Sequence, residues 1–278
     1  MKQISPGMRG LRAGGAALLV AVAAGCASVQ TTESGVIGVD RKQYMAASVP
    51  ASQLQLTANQ QYSEMMGEAR AAGALDVDTA QVQRVQAITQ RLIAQVSAFR
   101  PDAASWPWEV HVVRSDEVNA WCMPGGKMAV YTGLINKIKP TDDELAAVLG
   151  HEMAHALREH SREQISQQMA TQAGLSVLSA VTGVSAAGDL GAALTNVMFT
   201  LPNSRTHESE ADLIGVELAA RAGYDPRAAV TLWQKMGALS GGNAPPEFLS
   251  THPSASTRTA ELQRNAEKVM PLYESARR

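Results

Sequence analysis

The sequence predicts an α+β fold, mainly helical, with a small β-sheet packed beside one central helix. Three patterns carry this expectation. Apolar residues recur at three- and four-residue steps over residues 78–99, the period then shortens to alternation at 108–113 and to a strand-like run at 127–132, and beyond residue 140 nearly all of the chain has helical spacing. The 278 residues, 45% of them hydrophobic, suffice for one domain with a real core. Aromatic residues are only 4%, so that core must draw on Leu, Val, Ile, Met and Ala. A net charge of -2 with no long basic run argues against a nucleic-acid partner.

The elements follow in order. Lys2, Arg9 and Arg12 open a charged start, followed by an apolar stretch over residues 16–24 that is shorter than the ~20 residues a membrane helix needs. Ala24-Gly25-Cys26 resembles a bacterial lipobox, although Ala23 stands where Leu is usual. Residues 1–25 are therefore expected to be a lipoprotein signal peptide and Cys26 the lipidated residue, with ordinary secretion as the alternative. Removal of that segment would leave 21 basic against 26 acidic side chains, about -5. Residues 26–51 mix Ser, Thr, Gly and Val without periodicity and read as a tether, leaving 52–278 as the folded domain. The second cysteine, Cys122, then lacks a disulfide partner and reads as a small buried hydrophobe or a free thiol.

Val82, Val85, Ile88, Leu92 and Val96 form the stripe of an amphipathic helix. Trp108, Val110 and Val112 alternate as in a strand, Pro124-Gly125-Gly126 is turn chemistry, and Lys127 to Thr132 reads as a second strand. Residues 164–188 carry no charge, but Gln164, Gln167, Gln168 and Gln172 interrupt them, so a buried or lid-forming helical pair is expected rather than a membrane span.

The chemistry centres on residues 141–155. Thr141 and Glu144 form a capping box, and Asp142 and Asp143 favour the positive end of the helix that starts there. His151 and His155 are four residues apart, so both imidazoles leave the same side of the helix and can reach one metal ion. Glu152 is turned by about 100° and can reach a water on that ion rather than the ion itself. Two ligands and a base are what metal-assisted hydrolysis requires. A catalytic zinc usually has a third protein ligand. The best candidate is Glu208, 53 residues beyond His155, with Asp212 four residues further on. An antiparallel second helix would point Glu208 at the metal and let Asp212 take the other ring proton of a ligating histidine. Otherwise the two carboxylates are an ordinary solvated face. His111, His160 and His207 are not expected to ligate: His111 lies in a strand, His160 reads as a surface residue, and His207 points away by helical geometry.

HEMAH followed by ESEAD resembles the gluzincin metallopeptidases of the HtpX and CAAX-prenyl-endopeptidase family. The segments Asn119–Gly126 and Thr251–Arg258, the latter of HPxxxxR form, are similar to that family as well, and the likeness covers about 52–278. With the lipobox it falls near the periplasmic lipoprotein branch, LoiP-like, and BepA-like without the helical-repeat domain. The resemblance implies a zincin-like fold holding one Zn2+ through His151, His155 and Glu208. Glu152 would be the general base, and Asp212 would orient His151. His252 would stand at the site, blocking the open position or stabilising the oxyanion, and Arg258 would anchor its turn. Lys127, Met128, Ala129, Val130 and Tyr131 match the family's edge strand, whose free backbone groups would pair with an extended substrate. A generic edge strand is the alternative.

The resemblance further implies an endopeptidase of the bacterial envelope, acting on misfolded outer-membrane or periplasmic proteins. It would be held by Cys26 at the inner leaflet of the outer membrane, with envelope assembly machinery as a partner. Two alternatives stay open: a zinc-bearing chaperone or assembly factor, and a latent peptidase gated by His252.

Overall fold

The structure, a computed structural model, describes residues 26–180, 190–239, 247–253 and 257–278. The signal segment 1–25 lies outside the described residues, as do Ser254–Ser256 of the HPxxxxR segment.

The architecture is α+β and mainly helical, as expected. The N-terminal part differs from expectation. Strands β1 (Cys26–Val29) and β2 (Gln43–Ala46) pair antiparallel, and the chain from Thr32 to Val49 buries Ile37, Val39, Met45 and Val49. This stretch is not a loose tether. Its polar residues made it look solvated, but Gln43 is fully buried because its amide donates to the Arg158 carbonyl at 2.6 Å and to Glu163 at 2.8 Å. A buried amide with both bonds satisfied carries little penalty. The Val36 and Ile37 N–H groups likewise donate to the Glu217 carboxylate at 3.0 and 2.8 Å.

Helix α1 (Ala51–Ala71) buries Leu54, Ala58, Tyr62 and Met66 at four-residue spacing. Helix α2 (Thr79–Ile93) is capped by Asp78, whose side chain accepts from the Ala80 and Gln81 N–H groups, and it buries Val85, Ile88 and Leu92. Val96 is buried as the stripe required, but in a separate turn after the helix.

Strands β3 (Glu109–Val113), β4 (Ala120–Met123) and β5 (Lys127–Tyr131) form one sheet in the order β3-β5-β4, with β3 parallel and β4 antiparallel to β5. This overturns the edge-strand reading of Lys127, Met128, Ala129, Val130 and Tyr131. They form the central strand, bonded on both sides, with Met128, Ala129 and Val130 buried. Their apolar run is the mark of a strand covered on both faces, and it carries no information about edges. The edge is β4.

Helix α3 (Asp142–Leu157) begins at the expected capping box: Thr141 Oγ1 accepts from the Glu144 N–H at 3.2 Å and Glu144 returns to the Thr141 N–H at 2.8 Å. Fourteen of its residues, from Glu144 to Leu157, are buried. Full burial of each large apolar side chain such as Leu145 or Leu149 contributes about 1.5–3 kcal/mol. The helix is therefore fixed on all sides before any ligand is considered. Glu159, in the left-handed region at φ 52°, breaks the chain into α4 (His160–Ala180). Then come α5 (Leu190–Phe199), α6 (Arg205–Arg221), α7 (Ala228–Leu239), α8 (Glu247–Thr251) and α9 (Arg258–Ala276). Of the helical pair expected within 164–188, α4 runs to Ala180 and residues 181–189 lie outside the described residues; α5, which packs against α4, begins beyond that segment. Among the described residues no helix is long and apolar enough to cross a membrane.

Candidate metal centre and active site

Helix α3 packs along α6. The contacts run in opposite order: Gly150 meets Gly215, His151 meets Asp212, and His155 meets Glu208. The helices are therefore antiparallel, as the third-ligand expectation needed. They approach so closely because two glycines face each other. A Cβ on Gly150 would lie 2.9 Å from the Gly215 carbonyl oxygen, and one on Gly215 would lie 2.7 Å from the His151 nitrogen.

The site assembles from three helices and one turn. His151 Nε2 lies 3.1 Å from His155 Nε2. Glu208 oxygens lie 3.5 Å from His151 Nε2 and 3.4 Å from His155 Nε2. His252, just after α8, brings Nδ1 to 3.3 Å from His151 Nε2 and 2.9 Å from Glu208 Oε1. All four residues are buried, and their ligand atoms lie within 4.8 Å of one another. Ligands bound at ~2.0–2.1 Å in a tetrahedron stand roughly 3.3 Å apart. The spacings of 3.1 to 3.5 Å among the His151, His155 and Glu208 atoms agree with that figure, and three imidazoles with one carboxylate are a donor set that suits zinc. Two ring nitrogens 3.1 Å apart and out of water also need a proton or a cation between them. The residues present fit a zinc ion.

The support of His151 is as expected and stronger. Its Nδ1 lies 3.0 Å from Asp212 Oδ1. Arg258 donates to both Asp212 oxygens at 2.7 Å and to Glu208 Oε2 at 2.8 Å, with its guanidinium stacked 3.5 Å over the Trp233 ring. Arg258 thus fixes the carboxylates of α6, a larger role than anchoring the His252 turn.

Glu152 stands beside His252 and His155 on the wall of one cleft. It is 3% exposed, and its Oε1 has no hydrogen-bond partner among the described residues; His252 Nε2 stands 3.5 Å away. Burial raises its carboxyl above the usual range, against the pull of His252 and His151. Burial also drives His155 down to about 3, which keeps it a neutral donor. For His151 burial acts in the same direction, but its bonds to Asp212 and Glu208 outweigh it and raise the ring to about 9, so metal binding there displaces a proton.

The cleft beside Glu152 is lined by Ala120, Trp121, His155, Met198 and His252 among others. The edge strand β4 forms one wall. Within its sheet β4 pairs only with β5, and the Ala120 N–H turns to the Asn119 side chain at 2.9 Å. Cys122 is a buried free thiol on this strand, and burial pushes its ionisation well above the ordinary value.

One histidine departs from its sequence reading. His160 is buried, not on the surface: Nδ1 lies 2.9 Å from His155 Nδ1 and Nε2 lies 3.0 Å from Glu210 Oε2. His207 does point away from the metal group, but it is buried too, stacked on His160 at 4.3 Å with Nε2 3.2 Å from Glu163. His111 stays remote from the metal group in β3, between Asp76 and Glu109. The signal for His160 was its distance of five residues from His155, which a break at Glu159 converts into contact.

A capped HExxH helix crossed by an antiparallel helix bearing a glutamate ligand defines a metallohydrolase of the zincin type. Residues 79–266 match Peptidase family M48, and the chain belongs to that family, whose peptidases use zinc. The chain is 43% identical to the mitochondrial metalloendopeptidase OMA1 of Arabidopsis thaliana over 168 residues, 60% of this chain and 33% of that protein. With the mitochondrial metalloendopeptidase OMA1 of Bos taurus it shares 36% over 203 residues, 69% of this chain and 38% of the other. With the beta-barrel assembly-enhancing protease of Escherichia coli it shares 26% over 212 residues, 73% and 42%. The chain spans about a third to a half of the length of the curated relatives it matches.

Proposed function

We propose that this chain is a zinc-dependent endopeptidase. The observation that carries the reading is the convergence of His151, His155 and Glu208 on one buried point with the unpartnered carboxylate oxygen of Glu152 beside it. A bound zinc would polarise the scissile carbonyl and acidify a water. Glu152 would take the proton of that water and pass it to the leaving amine. Asp212 and Arg258 hold the ligands in place. An extended polypeptide would lie along β4, adding a strand at the edge that borders the cleft.

The cell-envelope role is part of the same proposal. Ala24-Gly25-Cys26 supports a lipid anchor at Cys26, a periplasmic position at the outer membrane, and the LoiP-like lipoprotein branch. The relatives named beta-barrel assembly-enhancing proteases support misassembled outer-membrane proteins as substrates and the assembly machinery as a partner. In one preparation, the full chain should be recovered with membranes through Cys26 and cleave casein, lose that cleavage to a chelator and regain it with zinc. Cleavage indifferent to the chelator would overturn the metal mechanism; recovery in the soluble fraction would overturn the anchor alone.

A second reading, a latent peptidase, is favoured by His252. A catalytic zinc keeps one position open, whereas His252 supplies a fourth ligand atom. His252→Ala should raise casein cleavage several-fold by freeing that position for water. A loss of activity instead would assign His252 to the oxyanion.

A further inference from the structure

We propose that His160 and Glu210 are positioning residues for the metal ligand His155, forming a chain in which His155 passes its ring proton's hydrogen bond to His160 and His160 passes its own to Glu210. The inference rests on the reading that His151, His155 and Glu208 hold zinc.

The geometry dictates the direction of each bond. His155 turns Nε2 to the metal group, so its Nδ1 is the ring atom left to carry a proton. That atom faces His160 Nδ1 at 2.9 Å. One of two facing ring nitrogens must accept, so His160 Nδ1 is bare and its proton resides on Nε2. There it meets Glu210 Oε2 at 3.0 Å, and an ionised carboxylate only accepts. Glu210 is held in the acceptor role by two guanidinium groups. Arg158 reaches Oε2 at 3.0 Å, and Arg41 reaches Oε1 at 2.6 Å and Oε2 at 3.0 Å. Each bond requires the next, and together they select one tautomer of His155.

The arrangement repeats the one on His151 with an imidazole interposed. His151 meets a carboxylate, Asp212, that Arg258 clamps. His155 meets His160, whose carboxylate Arg158 and Arg41 clamp. His207, stacked on His160 with an interplanar angle of 12°, fixes the plane of the relaying ring. Arg41 lies on the segment between β1 and β2, so the N-terminal hairpin reaches the support of a metal ligand two residues away.

Partners of metal-bound histidines contribute about 10–100-fold to metal affinity. In the full chain, His160→Phe should weaken zinc binding by that factor in competition with a chelator and speed zinc release. His160→Gln, whose amide again offers one acceptor and one donor, should recover most of the affinity. The metal-free melting temperature is read alongside. A purely structural histidine would lower that temperature in both variants without separating their zinc affinities, and such a result overturns the proposal. If His160→Phe does not fold, nitrogen NMR of the unaltered zinc-loaded chain decides: a proton on His160 Nε2 supports the chain of bonds, and one on Nδ1 overturns it. A parent chain that binds no zinc removes the metal reading itself, whereas a parent and a His160→Phe variant of equal affinity remove only the role of His160.

Discussion

Glu152→Gln should leave zinc in place and lower kcat/KM for casein by about 10²–10⁴-fold, the usual contribution of a general base. The amide has the carboxylate's shape and cannot take a proton. The metal need not notice the change, because Glu152 is not among the four residues whose atoms converge. Packing should not change either, since Oε1 makes no hydrogen bond that would be lost among the described residues. Such an atom, buried and unpaired, is costly unless a substrate or water meets it in the working state. Its raised ionisation suits the role, because a base whose proton affinity lies nearer neutrality is the better proton acceptor. Two measurements decide: metal content by mass spectrometry and casein cleavage. Undiminished cleavage would sink the mechanism. Lost zinc would make Glu152 a ligand and recast His151 and His155.

Much of this site was legible because its signals are local. The capping box, the four-residue spacing of His151 and His155 and the matching spacing of Glu208 and Asp212 each lie within a turn or two of helix, where geometry follows from sequence. What failed depends on partners distant in the chain. Lys127–Tyr131 is central because β3 pairs from one side and β4 from the other, and nothing in five residues reveals which neighbours arrive. The 26–51 segment looked polar because Gln43 and Thr32 are polar, and their burial depends on Glu163 and Arg158, more than a hundred residues away. His160 read as exposed because a helix continued from α3 would have turned it outward; the reversal at Glu159 turns it in. Arg258 could be placed near His252, but its grip on Asp212 and Glu208 required the packing of α9 against α6.

The same distinction makes Gly215 a sensitive position although it is not a ligand. Gly215→Ala should cost about 3 kcal/mol, the upper end for forcing one methyl group into a packed core. At ~2–4 °C per kcal/mol, the melting temperature should drop by roughly 6–12 °C. The high figure follows from what the methyl would meet. The nearest atoms are the His151 nitrogen at 2.7 Å, the Gly150 carbonyl carbon at 2.9 Å and the His151 Cα at 2.9 Å, all backbone of a helix buried on every side. A flexible side chain could swing away; α3 can relieve the clash only by moving as a body from α6. That movement would separate His151 from Asp212 and His155 from Glu208, pairs now 3.0 and 3.4 Å apart. Zinc affinity should therefore fall together with stability, although no ligand has been altered. Gly237→Ala is the control, since a Cβ there meets nothing within 4 Å and should stabilise α7 by removing a helical glycine. A Gly215→Ala protein with unchanged melting temperature and zinc affinity would show that the two helices tolerate separation. The close approach of α3 and α6 would then not be what sets the ligand geometry.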